Sequence, residues 1–351
     1  MVEKVVLVSV ALLYSAVGEP IRWALRVNPN TANIFHKFRR QILDTSPHKN
    51  NFVNINGIRL HYLDWGGNGT VLLFLTGMGL SAHIYDKFAP RFIDKFHVIA
   101  LTRRGHGESD YPETGYDVDT LTEDVRQFMD SLEIDKAILV GHSMSNVELC
   151  HFAALHPERI LKLVFLDAAY DRTSPIFKAM MEKNPLRNIQ IPGINDGHYS
   201  IENYVAATKK NYPSLAAVWC DVMDEDLLHG VKKSPEGKIV DKMSDTIGKA
   251  LNDTLNSYTP EDSKILAPIL SIFAINGGDY YLSPDYMTEE QKAVVTEFFD
   301  TVRPPLQREL IGQFQRSVPH ARIVEISNGH HYCFIKHEEL VFDEMRKFLL
   351  P

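Results

Sequence analysis

The chain has 351 residues, 44% of them hydrophobic, and a net charge of −8; it can bury a core large enough for one α/β domain with an insertion, or for two domains, and either suits an enzyme. The acidic balance excludes a nucleic-acid binder that relies on an extended basic face, because the main basic cluster is only His36-Lys37-Phe38-Arg39-Arg40. Cys150, Cys220 and Cys333 lie far apart without C-x-x-C spacing, so neither a zinc site nor a disulfide framework is expected.

Residues 1–50 read as an N-terminal segment. Val5 to Gly18 is mainly apolar, too short to span a bilayer comfortably, and Ala16-Val17-Gly18 matches the small-x-small pattern of a secretory cleavage site. As a signal peptide, residues 1–18 imply export to the periplasm or the medium; otherwise the chain is expected in the cytoplasm. Ile21 to Ile42 carries Trp23, Leu25, Phe35 and Phe38 on a helix broken near Pro29, and the alternative to cleavage is peripheral membrane contact or a cap-covering segment.

Residues 51–169 read as the first part of an α/β core. Phe52 to Ile55 and Ile58 to Leu63, joined by Asn56-Gly57, predict a hairpin. Val71 to Leu75 is a continuous apolar run suited to a strand covered on both faces. A helix over Ala82 to Phe92, a strand over His97 to Leu101 and a helix over Leu121 to Leu132 are expected next. Ala137 to Val140 is then a buried strand running into Gly141-His142-Ser143-Met144-Ser145, after which Val147, Cys150, His151 and Ala154 keep helical spacing. That stretch reads as a nucleophile elbow. Gly141 lets strand and helix pass closely, whereas Ser145 stands where the G-x-S-x-G pattern has its second glycine. A lone serine after a strand also serves as a helix cap, so the rest of the chain decides between the two.

Leu161 to Leu166 is a further strand, with Asp167 at its end. The alternation then breaks: residues 170–264 contain helical stretches and no evident core strand, which predicts an inserted helical cap. In the second part of the core, residues 265–351, a strand (Ile269 to Ile275), a helical region (Glu289 to Ser317), a strand (Arg322 to Ile326) and a closing helix (Glu338 to Leu350) are expected.

Several motifs in order carry a family resemblance: Thr76-Gly77-Met78, Arg104-Gly105-His106-Gly107-Glu108-Ser109, Gly141-His142-Ser143-Met144-Ser145, His156-Pro157-Glu158-Arg159 and Gly329-His330-His331. Over residues 51–350 the chain resembles the α/β-hydrolase superfamily, of the serine-nucleophile type with a helical cap. Within it, the chain is similar to uncharacterised bacterial α/β-hydrolases with an R-R-G-x-G loop (Arg103 to Gly107) and an L-D-A-x-Y strand end (Leu166 to Tyr170). The resemblance implies a mainly parallel eight-stranded sheet with helices on both faces.

It also implies an ester- or lactone-cleaving serine hydrolase that works through an acyl-enzyme, with a small-molecule substrate and no cofactor or metal. Ser143 is the expected nucleophile. For the base, Gly-His pairing points to His330, whereas the longer H-Y-x-F match, His331-Tyr332-Cys333-Phe334, favours His331. For the acid, Asp167 competes with Asp279 after the next core strand, and Asp167 is preferred. The backbone amides of Met78 and Met144 occupy the oxyanion-hole positions, although Thr76 stands where the family usually has histidine. The Arg103 to Ser109 loop is expected to be scaffold whose arginines hold backbone carbonyls. Tyr199, Tyr204, Tyr212, Trp219 and Met223 are candidates to line a cavity under the cap.

Ser143 in place of an elbow aspartate disfavours epoxide-hydrolase chemistry. A small-molecule receptor with little turnover remains an alternative, as do amide, carbon-carbon bond and peracid reactions on the same triad.

Overall fold

A computed structural model of the chain describes residues 48–190, 198–276 and 284–350. The readings of residues 1–18 and 21–42, and Asp279, lie outside the described residues.

Strands β1 (Lys49–Ile55) and β2 (Ile58–Gly66) form the expected hairpin. Asn56 and Gly57 both have positive φ, 47° and 74°, the backbone demanded by a two-residue turn that follows strand twist. After β3 (Val71–Leu75) the expected helix is replaced by two single 3₁₀ turns, Ala82–Tyr85 and Ala89–Phe92. Pro90 is the reason: it has no N–H to donate to Asp86 O, and its ring would strike that carbonyl in a continuous helix. Strand β4 (His97–Leu101) and helix α1 (Val118–Ser131) follow, the helix capped by Asp117, which accepts from Thr120 N. Then come β5 (Ala137–His142), α2 (Asn146–Leu155) and β6 (Ile160–Leu166).

Between β6 and the next core strand lie α3 (Pro175–Lys183), α4 (Ile201–Asn211), α5 (Asp221–Gly230), a small hairpin of β7 (Val231–Lys233) and β8 (Ile239–Asp241), and α6 (Asp245–Ser257). The hairpin is an addition to the expected helices and forms a two-stranded sheet of its own, with one antiparallel bridge from Ile239 to His198. The core resumes with β9 (Ile269–Ile275), α7 (Glu289–Glu297), a π-helical turn (Phe298–Val302), α8 (Arg303–Ser317), β10 (Arg322–Ser327) and α9 (Glu338–Leu349).

The eight-stranded sheet has the order β1-β2-β4-β3-β5-β6-β9-β10. Only β1–β2 and β2–β4 pair antiparallel. Side chains alternate along each central strand, so both faces are buried. Leu73 and Leu75 pack on one face with Phe128 of α1, Phe152 of α2 and Phe314 of α8. Leu72 and Phe74 pack on the other with Phe88, Phe92, Phe334 and Met345. Each such side chain stabilises the sheet by about 1.5–3 kcal/mol on burial. Because β5, β6 and β10 run parallel, their carboxyl ends fall along one edge, where the loops that follow can converge.

Candidate active site

Ser143 follows β5 with φ 54°, a left-handed backbone that a β-carbon resists, and the chain turns at once into α2. Space for this turn is made locally. A β-carbon on Gly141 would lie 2.4 Å from Ser145 Oγ. Ser145 itself is accommodated by donating its hydroxyl to His142 O at 2.9 Å, so a serine serves where glycine is usual.

Asp167, directly after β6, has φ 46°. Its Oδ1 accepts from Ala274 N of β9 at 2.9 Å and from the Tyr170 hydroxyl at 3.3 Å, which leaves Oδ2 to His331 Nδ1 at 2.6 Å. His331 Nε2 lies 2.9 Å from Ser143 Oγ. A carboxylate can only accept, so Nδ1 carries the proton and Nε2 is left as acceptor for the serine hydroxyl. The three residues thus form one hydrogen-bonded chain, the arrangement that a serine nucleophile, its base and an orienting acid require.

The loop that carries His331 is held on three sides. Asn276 Nδ2 donates to Gly329 O at 2.9 Å, and Gln307 bridges Asn276 and β9. A β-carbon on Gly329 would lie 2.8 Å from Ala274 Cα, so only glycine allows this approach. His142, beside the serine, donates from Nε2 to His331 O at 2.9 Å. The sequence does not single out Asn276 or Gln307 for this task, and offers little for His142. The sole signal was the position of His142 next to the serine.

His330 takes a different place. It donates from Nε2 to Ser214 O of the insertion at 3.0 Å and accepts at Nδ1 from Tyr332 N, so both ring nitrogens are used away from Ser143. Burial pushes its pKa down to about 4, which keeps it neutral.

Met144 is buried at the start of the turn into α2, and Met78 sits in the loop after β3. Arg103 braces that second loop. Its Nη2 donates to Thr76 O at 2.9 Å, while Nε and Nη2 hold Glu148 of α2 in a fork, each at 2.5 Å. Arg103 does hold a carbonyl as expected, with its charge answered by a buried carboxylate. Arg104 instead pairs with Asp124 of α1 at 2.6 and 2.7 Å.

Ser143, Met144, Asp167 and His331 open on a cavity of about 310 Å³. Its apolar walls come from Phe177, Met180 and Met181 of α3, Leu255 of α6, Tyr258 and Phe298. The cap residues singled out from sequence do not line it. Tyr204, Trp219 and Met223 line a separate cleft of about 630 Å³ that contains Met78, and Tyr199 is 69% exposed. Which face of a cap helix turns inward is set by how the helices cross, and their sequence spacing does not fix that.

A second cluster could hold a cation by composition: His83, Glu225 and His229, with His48 and Asp86 adjoining. The rings of His83 and His229 stack 3.8 Å apart and 7° from parallel. One ion cannot lie in both ring planes at coordination distance, so in this arrangement the pair does not chelate. His229 instead lies between Glu225 at 3.0 Å and Glu108 at 3.3 Å.

Residues 70–211 match the family model described as the alpha/beta hydrolase fold. The chain is 37% identical over 116 residues to a non-heme chloroperoxidase of Streptomyces lividans, covering 32% of this chain and 42% of that one. It is 35% identical over 101 residues to a 2-(acetamidomethylene)succinate hydrolase of Mesorhizobium japonicum, covering 29% and 36%. The matched segments thus span less than half of these curated relatives. The solved structure of an E-2-(acetamidomethylene)succinate hydrolase superposes with a TM-score of 0.67 at 20% identity, over 86% of this chain and 99% of that one. Sheet order, elbow and superposition agree on an α/β-hydrolase fold, and residues 70–211 match that family's model.

Proposed function

We propose that the protein is a serine hydrolase that forms an acyl-enzyme, acting on carboxylic esters or lactones of small to medium apolar compounds. The observation that carries this reading is the continuous chain Ser143–His331–Asp167, with contacts of 2.9 and 2.6 Å, opening on a cavity with apolar walls and a few polar groups. His331 takes the hydroxyl proton as Ser143 attacks the carbonyl carbon, and Asp167 stabilises the imidazolium. The amides of Met78 and Met144 receive the oxyanion. His331 then protonates the leaving alcohol, and by the reverse sequence a water releases the acid.

The test is labelling by a fluorophosphonate probe, read by intact mass, in wild type, Ser143→Ala and His331→Ala. One adduct per wild-type chain, absent from both variants, is expected. A folded wild type that stays unlabelled would move the reading to a ligand receptor.

A further inference from the structure

Among the described residues that line the catalytic cavity, Arg172 is a cation with no carboxylate beside it. Besides Asp167, which His331 and Ala274 N already engage, the only charged residues among its described lining are Arg172 and Arg303. Arg172 follows the strand end that carries Asp167. Its Nε donates to Asn256 of α6 at 3.1 Å, and its guanidinium lies 5.3 Å from the Phe177 ring centre. No carboxylate among the described residues comes within ion-pair distance of it. Burial alone pushes its pKa down from the ordinary value, without an opposing acid.

Arg172 is half-buried; partial loss of water around an arginine with no counter-charge is unfavourable, and its two terminal nitrogens form a fork suited to a carboxylate. We infer that the substrate carries a carboxylate besides its scissile ester or lactone bond, and that Arg172 receives it inside the catalytic cavity. Ester cleavage then takes place at Ser143 while the anion is fixed at the other end of the cavity. The apolar walls hold the connecting carbons, so a bare dianion is a poorer fit than a chain with an acid terminus.

This rests on the serine-hydrolase reading, and the test separates the two. Mono-4-nitrophenyl adipate is compared with its neutral isostere 4-nitrophenyl heptanoate, and 6-acetoxyhexanoate with heptyl acetate, so that the acid is tried on the acyl and the alcohol side. The readout is the ratio of kcat/KM within each pair, from which the amount of folded protein cancels. At least one pair should favour the acid. In Arg172→Met that preference should fall by about 10- to 100-fold, the range of a charged hydrogen bond, whereas Arg172→Lys should keep part of it. The inference is overturned if neither pair favours the acid in wild type, or if Arg172→Met leaves the ratio unchanged. Absence of fluorophosphonate labelling at Ser143 would instead overturn the reading beneath it.

Discussion

At the scale of single residues, Asp167 is informative because its two oxygens have separate tasks. Oδ1 is committed to Ala274 N and Oδ2 to His331 Nδ1. In Asp167→Asn the amide oxygen can keep the Ala274 contact, which leaves the NH₂ facing Nδ1. The imidazole must then hold its proton on Nε2 and donates towards Ser143, the wrong direction for a base. A loss in kcat of about 10⁴-fold is expected with an intact fold, because such a substitution changes the tautomer and leaves the geometry alone. Thermal unfolding followed beside ester turnover checks this; an activity loss with an equal loss of folded protein would contradict it. Ser143 and Asp167 were legible as candidates because each stands at the end of an apolar strand, whereas His331, in the loop after β10, was preferred to His330 on a longer motif match. His142, Asn276 and Gln307 were not legible, since their importance lies in hydrogen bonds to backbone across 31 to 189 residues of chain.

At the scale of elements, the loop after β3 and helix α2 are joined by one ion pair, Arg103 with Glu148, 5% and 3% exposed at the side chains. Arg103 also holds Thr76 O, so the pair sets where Met78 sits relative to the elbow. Glu148→Ala would leave a guanidinium buried with no charge opposite, and removing one partner of a buried pair typically costs about 3–5 kcal/mol. A lower urea midpoint at unchanged slope is the expected signature. Turnover in the remaining folded protein should fall by up to about 100-fold if the loop shifts by an ångström. The strands Val71–Leu75, His97–Leu101 and Ile269–Ile275 agree with the sequence reading residue for residue, because each is an apolar run bounded by polar or turn-forming residues. The segment Ala82–Phe92 does not, because its amphipathic spacing conceals the break at Pro90. The Arg103–Glu148 pair was beyond reach for another reason: a buried charge reveals its partner only after the chain has folded.

At the scale of the whole molecule, the cap helix α5 meets the core through titratable groups rather than apolar packing alone. Asp226 accepts from Ser81 N and Oγ, each at 2.7 Å, while His229 stacks on His83 and lies between Glu108 and Glu225. Burial opposes a charge on His229, but the two carboxylates outweigh it and raise its pKa from 6.5 to about 9. His83 shifts the other way, lowered chiefly by burial, so the stack pairs a charged ring with a neutral one. A folded pKa above the unfolded one means that the folded state holds the extra proton. The stabilisation is therefore complete below pH 6.5 and is lost as pH rises through about 9. Its size is about 3 kcal/mol, from 1.36 kcal/mol for each pH unit of displacement. Asp226, raised by burial from 3.8 to about 7, loses its contribution over a lower window, so the two slopes can be separated. Thermal unfolding midpoints measured from pH 6 to 10 should decline for wild type, most steeply near pH 6.5 to 7 where both groups titrate, and through His229 alone from there to about pH 9. In His229→Gln the decline above pH 7 should flatten, with the largest deficit relative to wild type at pH 6. In Asp226→Asn the part above pH 7 should persist. A His229→Gln profile parallel to wild type would show that the cap is not held to the core by this proton, and the stacked imidazoles would then contribute by packing alone.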